Sequence, residues 1–313
     1  MPKVSEKNKA FYEKKVRKMI HDRFSSYEPR IAVGLVGEGS DCFGYDDELS
    51  RDHDFGTGVC LWLNEEDYSL IGEELSKAYG ELVDEKERSF MTKRLKERRG
   101  VHSIRAFYSN ILGIEIDPKN PNLSEEQWKA LDHSCLKTAT NGVIFRDDLG
   151  EFTRFRNYLL SYYPEKIWRM RIAEQLHKFA SSFQTNYSRC MARKDIVTAT
   201  LCKAKGMEAA MELFFLLNRV YPPYYKWTFH ALKDLDKEGV YSKKLESLAE
   251  EPIRLEAWEG SVYLPHRQNY KDMNVCICEE IASEIEELLF SKGLIHKRGR
   301  YLEAHVDEVL GNI

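Results

Sequence analysis

The strongest constraint in this sequence is a pair of apolar runs, residues 31–36 and 59–63, separated by a polar stretch with a Gly-Ser turn and two aspartates. The turn is Gly39-Ser40, and the aspartates are Asp52 and Asp54, with a single residue between them. If a strand covers residues 52–63, its two-residue period points both aspartates to the same face of a sheet. Two carboxylates beside a turn with free backbone amides are typical of a site for a divalent cation and the phosphates that it carries.

Each of these residues has a chemical role in nucleotidyl transfer, which needs two metal ions about 4 Å apart. Asp52 and Asp54 are the predicted metal ligands and catalytic residues. Gly39 lets a triphosphate approach its amide closely, and Ser40 adds an amide and a hydroxyl. Arg51 is a predicted phosphate contact, but a regular strand points it to the opposite face, so a structural ion pair explains it equally well.

The composition excludes several classes of protein. The chain has 313 residues, of which 42% are hydrophobic and 31% charged, and this indicates a soluble globular protein with a sizeable core. Its formal net charge is -4, whereas proteins that bind nucleic acids generally carry a basic surface. Seven cysteines without framework spacing indicate free thiols, and the charged N-terminal residues lack the apolar core of a signal peptide. We therefore expect a cytoplasmic protein without a membrane span.

Hydrophobic periodicity predicts two domains of different class. Residues 1–150 indicate an α/β (α+β) domain with a small mixed sheet, and residues 151–313 indicate an all-α domain that completes the acceptor site. In the second domain, residues 207–220 are apolar on nearly every face and predict a buried central helix. The predicted strands of the first domain are residues 31–36, 52–63, 101–107 and 143–145, and its predicted helices are residues 6–25, 65–80 and 86–98.

The Gly-Ser turn and the two aspartates resemble the signature of DNA polymerase beta-like nucleotidyltransferases, G-S-x11-D-x-D between apolar strands. The longer string GEGSDCFGYDDELSRDHDFG is similar to a bacterial group of this superfamily known mainly as domains of unknown function. The segments NGVIFRDDLGEFTRFR, YYPEKIW and LLNRVYPPYYKW extend the resemblance over most of the chain. The resemblance implies a nucleotidyltransferase fold, dependence on Mg²⁺ or Mn²⁺, and ATP or another nucleoside triphosphate as co-substrate. It does not imply the acceptor.

Many members of this superfamily carry a third carboxylate on a neighbouring strand, as a metal ligand or general base. The predicted third strand, residues 101–107, offers His102 but no acid. We assign the third catalytic carboxylate to Asp147, which ends a predicted strand, and an ordinary turn residue before Gly150 is an equally good interpretation. The other candidates are Asp148, Glu115 and Asp117.

The helical half adds three predicted nucleotide contacts. Arg189 and Arg193 are four residues apart, so a helix places them on one face, where they can grip phosphates. Lys226 lies in an aromatic-rich turn and is a candidate for lining a cleft. A solvated helix face and core packing are the ordinary alternatives. His53 also suggests a His-Asp metal phosphohydrolase, but no recognisable set of further ligands accompanies it.

These observations predict an enzyme that transfers a nucleoside monophosphate, AMP from ATP, to a hydroxyl of a small-molecule acceptor and releases pyrophosphate. Two alternatives remain open. The first is a non-catalytic nucleotide-binding or regulatory protein on the same fold, and the second is an enzyme that modifies nucleic-acid ends. The acidic net charge favours the small-molecule acceptor. The oligomeric state is left open by the sequence.

Overall fold

The computed structural model describes residues 4–45, 56–83, 98–261, 263–264 and 267–311. The chain divides into two compact units, Met1–Tyr162 and Tyr163–Ile313. The first unit contains a four-stranded mixed sheet with helices, and the second is built from helices. This architecture confirms the predicted fold class of an α/β unit followed by a helical one.

The sheet of the first unit is small and mixed. Its strand order is β3-β2-β1-β4, in which β1 runs antiparallel to β2 and β4, and β2 runs parallel to β3. β1 and β2 are buried along their whole length, as expected of central strands formed by continuous apolar runs. The strands are β1 (Ala32–Leu35), β2 (Cys60–Leu63), β3 (Gly100–Ser103) and β4 (Val143–Arg146).

The helices that accompany this sheet follow the amphipathic segments of the sequence. The N-terminal helical segment contains a π-helical turn, Tyr12–Val16, between its two α-helices. The helices are α1 (Val4–Phe11), α2 (Arg17–Arg23), α3 (Ser40–Phe43), α4 (Glu65–Leu82), α5 (Ile104–Leu112), α6 (Glu125–Ala130), α7 (His133–Thr140) and α8 (Glu151–Leu160).

The two-residue period of β2 separates two apolar layers. Leu61 and Leu63 belong to a core cluster with residues of the N-terminal helices and of α4, such as Ile20 and Leu75. Trp62 points the other way and stacks on Phe152, with 3.9 Å between the ring centroids. The sheet is therefore covered by apolar side chains on both faces.

Two strand predictions extended too far. The predicted strand over residues 101–107 ends at Ser103, whose hydroxyl accepts a hydrogen bond from the Ala106 amide and so caps the start of α5. Within residues 52–63, the described strand begins only at Cys60, and residues 56–59 are not in a strand. The period-2 argument for Asp52 and Asp54 therefore has no continuous strand behind it in the part of the chain that is described.

The helix α8 belongs to the first unit. The division between units falls after Tyr162, whereas the boundary predicted from the sequence, residue 150, precedes this helix. Phe152 and Phe155 of α8 are fully buried and pack against Tyr108 of α5, at centroid distances of 5.1 and 4.8 Å. These aromatic contacts attach the helix to the sheet-containing unit.

The second unit is organised around one long apolar helix. The predicted central helix over residues 207–220 begins much earlier, at Ile196, where Asp195 accepts a hydrogen bond from the Thr198 amide, and it ends at Leu217. The helices are α9 (Glu165–Phe179), α10 (Ser188–Ala192), α11 (Ile196–Leu217), α12 (Tyr225–Leu235), α13 (Val240–Glu250), α14 (Met273–Ser291) and α15 (Val306–Leu310). Across the described residues, none of the helices combines the length and apolarity that crossing a membrane requires.

Candidate functional site

The turn after β1 presents unused backbone donors. Gly37 and Gly39 have φ values of 116° and 114°, a region that side-chain-bearing residues rarely adopt. Among the described atoms, the amides of Gly39, Ser40 and Asp41 have no hydrogen-bond acceptor. A Cβ at Gly39 would lie 2.5 Å from Asp41 Oδ1 and 3.0 Å from Arg98 Nη1, so the space beside this glycine is already filled by polar groups. The turn thus combines amides that have no described acceptor with a conformation that favours glycine.

Asn141 holds this turn from a distant part of the chain. Its Oδ1 accepts a hydrogen bond from the Gly37 amide at 2.9 Å, and its Nδ2 donates to the Gly37 carbonyl at 2.7 Å. By its sequence, Asn141-Gly142 predicts a tight turn before the strand over residues 143–145. In the structure they connect α7 to β4, and the side chain of Asn141, only 6% exposed, is used for tertiary contact.

Arg99 is a buried cation beside the same turn. Its Nη2 donates to Asp41 Oδ2 at 2.7 Å, and its side chain is 4% exposed. Its Nε and Nη1 are buried and have no hydrogen-bond partner in the described part of the chain. The predicted basic helix ended at residue 98, so Arg99 was missed. Its place directly before strand β3, which pairs with the buried strand β2, is the signal that could have pointed to a buried charge.

Asn8 contributes a further unused donor close to Arg99. Asn8 Oδ1 accepts a hydrogen bond from the Gly58 amide at 3.0 Å, while its Nδ2 is buried and lacks a partner among described atoms. Gly58 lies against Arg99, because a Cβ added to it would be 3.3 Å from Arg99 Cγ. Buried donors without acceptors are costly, about 1–3 kcal/mol each, and an anionic ligand offsets that cost.

Two thiols and one imidazole close to Arg99 are uncharged at neutral pH. Burial raises the pKa of the Cys42 and Cys60 thiols, which excludes thiolate chemistry at neutral pH. Burial, and then the positive charge of Arg99, lower the pKa of His102 to about 4, so its imidazole is uncharged at neutral pH. The charge of Arg99 is therefore paired with the Asp41 carboxylate and not with a thiolate.

The predicted catalytic residues differ in what the structure says of them. Asp52, Asp54 and Arg51 lie outside the described residues, as does His53. Asp147 is described: its Oδ2 accepts a hydrogen bond from the Thr153 amide at 2.8 Å, in the first turn of α8. This contact gives the carboxylate a capping role, and its catalytic role stays a prediction. Among the described residues, no three acidic, histidine or cysteine side chains gather in a metal-binding group.

The three cations predicted from the helical half all lie in the second unit. Arg189 Nε donates to the Tyr263 hydroxyl at 3.2 Å, and Arg189 Nη1 donates to Asn186 Oδ1 at 3.3 Å. Arg193 follows α10 directly and is exposed. Lys226 is exposed, with its Nζ 5.4 Å from the centroid of the Trp227 ring. Their contact with a nucleotide stays a prediction.

Comparisons with known proteins give a family model and a solved structure that are similar to this chain. Residues 128–228 match the model of a family described as a domain of unknown function (DUF4037). No curated protein matches the chain. A solved structure of a nucleotidyltransferase-like protein from Exiguobacterium sibiricum 255-15 is similar, with a TM-score of 0.36 and 12% sequence identity, over 90% of this chain and 81% of that chain. The chain is thus similar to a domain of unknown function in its middle third and to a nucleotidyltransferase-like structure over most of its length.

Proposed function

We propose that this chain is a metal-dependent nucleotidyltransferase that transfers a nucleoside monophosphate, AMP from ATP, to a hydroxyl of a small-molecule acceptor and releases pyrophosphate. The observation that carries the proposal is a turn with three unused amides whose Asp41 side chain is ion-paired with a buried arginine. The amides belong to Gly39, Ser40 and Asp41, and two nitrogens of Arg99 lack acceptors among the described atoms. Such a set of donors is suited to phosphate oxygens.

The charge of this region supports a phosphate ligand. Arg99 has one carboxylate contact, through Nη2, and its other nitrogens face no described acceptor. Charged donors form roughly twice as strong a hydrogen bond to an anionic oxygen as neutral ones do. A triphosphate would therefore satisfy groups that otherwise destabilise the folded unit.

Asp52 and Asp54 supply the metal ligands in this proposal. Carboxylate oxygens are the ligands that Mg²⁺ and Mn²⁺ prefer, and Asp52 is the twelfth residue after Ser40 in the chain. Bound metal would supply charge stabilisation on the phosphates and activation of the attacking hydroxyl. Arg51, Arg189, Arg193 and Lys226 are proposed as further nucleotide contacts, and Asp147 as the third carboxylate.

A small-molecule acceptor is proposed over a nucleic acid because the chain has a formal net charge of -4. Binding of nucleic acid through phosphate contacts falls steeply with salt concentration. An affinity for tRNA or DNA that falls in this way would instead support the enzyme that modifies nucleic-acid ends.

The proposal is tested by titrating ATP into the chain with and without Mg²⁺ in a calorimeter, and by measuring pyrophosphate release over a panel of hydroxylated acceptors. We expect binding that depends on Mg²⁺ in the wild type and its loss in Asp52→Asn/Asp54→Asn. The exposed Asp22 provides a matched control, because Asp22→Asn removes an acidic side chain from α2 and should leave binding unchanged. Metal-dependent binding with no pyrophosphate release from any acceptor would support the non-catalytic alternative, and the absence of nucleotide binding would refute both.

A further inference from the structure

The backbone N–H and C=O of Gly37 are both hydrogen-bonded by one side chain, that of Asn141, 104 residues away in the sequence. Both hydrogen bonds run between Asn141 and Gly37, one to the amide at 2.9 Å and one to the carbonyl at 2.7 Å, and both are buried. A side-chain amide presents a donor and an acceptor side by side, so it pairs with one residue's backbone as a neighbouring strand would. Neither an aspartate nor an alanine offers this combination.

Asn141 is itself held rigidly against the end of β1. The Nη2 of Arg156 donates to the carbonyl oxygens of Thr140 and Asn141, at 2.6 and 3.3 Å. The next residue, Gly142, has a φ of 70°, and any Cβ there would overlap the Leu35 carbonyl oxygen. This close packing leaves the Asn141 side chain little freedom to move away from Gly37.

The clamp acts where the proposed phosphate-binding amides begin. Gly37 has a φ of 116° and no side chain, so its backbone has few constraints of its own apart from the two bonds to Asn141. The unused amides of Gly39, Ser40 and Asp41 follow within four residues, and their direction depends on the backbone of Gly37. Donors that are fixed before the ligand arrives bind more tightly, since the cost of ordering them has already been met in the folded chain.

We propose that Asn141 is a positioning residue that orients the turn of residues 37–41 for the phosphates of a nucleoside triphosphate. The proposal rests on the proposed function for the identity of the ligand. It also gives a role to the first part of the segment that matches the domain of unknown function, since Asn141 and Arg156 both lie in that segment and in the first unit.

The test compares Asn141→Ala and Asn141→Asp with the wild type. Asn141→Asp keeps an acceptor for the Gly37 amide but places a carboxylate oxygen against the Gly37 carbonyl. The matched control is Asn157→Ala, which removes an exposed asparagine side chain from α8 in the same unit. Two quantities are measured well below the melting temperature: the dissociation constant for ATP with Mg²⁺, and amide hydrogen exchange in peptides that cover residues 36–41 and 60–63.

We expect the dissociation constant to rise about tenfold in both Asn141 variants, a factor equivalent to about 1.4 kcal/mol. Exchange of the Gly37 amide, which Asn141 protects, should accelerate, and exchange in residues 60–63 should stay unchanged. Asn157→Ala should match the wild type in both quantities. A purely structural role would lower the melting temperature and leave the affinity of the folded protein unchanged, and that result would overturn the proposal.

Failure of the proposed function gives a different pattern. If the wild type binds no nucleotide, the proposed function is refuted, and hydrogen exchange alone then decides on the clamp. Faster exchange of the Gly37 amide in Asn141→Ala, or in Asn141→Asp through repulsion between its carboxylate and the Gly37 carbonyl, supports the clamp. Unchanged exchange in the folded variants overturns it. If Asn141→Ala does not fold, Asn141→Asp, which preserves the shape of the side chain, provides both readouts.

Discussion

The ion pair between Arg99 and Asp41 allows a prediction of which partner's removal costs the fold more stability. The two side chains are 4% and 14% exposed, and Arg99 Nη2 lies 2.7 Å from Asp41 Oδ2. Removal of one partner from a buried ion pair typically costs about 3–5 kcal/mol, because the other charge is left without compensation. The two partners of this pair differ, however, in what remains after the other is removed.

Asp41→Ala leaves the Arg99 guanidinium almost fully buried with no carboxylate contact, so we expect the free energy of unfolding to fall by about 3–5 kcal/mol. Arg99→Met removes the ion pair but also removes two buried nitrogens that lack partners among the described atoms, each of which costs about 1–3 kcal/mol. In addition, the remaining Asp41 carboxylate still accepts a hydrogen bond from the Cys42 amide at 3.0 Å. We therefore expect Arg99→Met to cost only about 1–3 kcal/mol, less than Asp41→Ala.

The double variant Arg99→Met/Asp41→Ala should lose less stability than the sum of the two single variants, because residues in direct contact couple by about 0.5–3 kcal/mol. The assay is hydrogen exchange over a series of denaturant concentrations, read from peptides of β2, so that it reports on the first unit alone. Two results would refute the reasoning: a larger loss in Arg99→Met than in Asp41→Ala, or additive losses in the double variant.

Three further predictions concern the same unit. His102 has a pKa of about 4 in the folded chain against an ordinary value of 6.5; its neutral form therefore stabilises the fold above pH 6.5, and stability should fall by at most about 1.4 kcal/mol per pH unit between pH 6.5 and 4. Denaturation over that range should show this slope in the wild type and a smaller one in His102→Gln, and an identical slope would contradict the assignment. Gly142→Ala should lower the free energy of unfolding by about 3 kcal/mol or more, through left-handed strain and overlap with the Leu35 carbonyl oxygen. Gly113→Ala, at a φ of 69° with open space around it, is the control and should cost only about 1 kcal/mol in the same urea titration. Asp147→Asn keeps an acceptor for the Thr153 amide and removes the charge, so we expect stability within about 0.5 kcal/mol of the wild type and, if pyrophosphate release is detected, a loss of about a hundredfold or more in its rate. Full activity would leave Asp147 as a helix cap only.

Patterns that depend on neighbouring residues were predictable from the sequence. The apolar run over residues 31–36 contains β1, which is one residue shorter at each end. The apolar run over residues 59–63 contains β2, although the strand was predicted to begin at residue 52. Ser124 followed three residues later by Gln127 is the sequence signature of a capping box, and both reciprocal hydrogen bonds are present. These predictions succeed because hydrophobic periodicity and helix capping depend on residues that are close together in the sequence.

Prediction from the sequence failed where two local structures share one pattern. Residues 101–107 alternate like a strand, but Ile104, Phe107 and Tyr108 also have helical spacing, and all three are buried in α5. Ser103 caps the start of α5, and this cap decides for a helix after residue 103. It is compatible with β3 because the pairing of β3 with β2 also ends at Ser103. A seven-residue window does not contain that information.

The sequence by itself predicted a mixed α/β unit followed by a helical unit, and it is the source of Asp52 and Asp54 as proposed metal ligands. Only the tertiary structure placed Asn141 on the Gly37 backbone and Arg99 on Asp41, across sequence separations of 104 and 58 residues. Neither contact has a periodic signature, because a buried polar side chain is matched to whichever backbone or charge the fold brings beside it. The glycines and the serine of residues 37–41 are a local sequence signal for the turn. The side chains that hold the turn come from distant parts of the chain, and only the packing of the sheet brings them beside it.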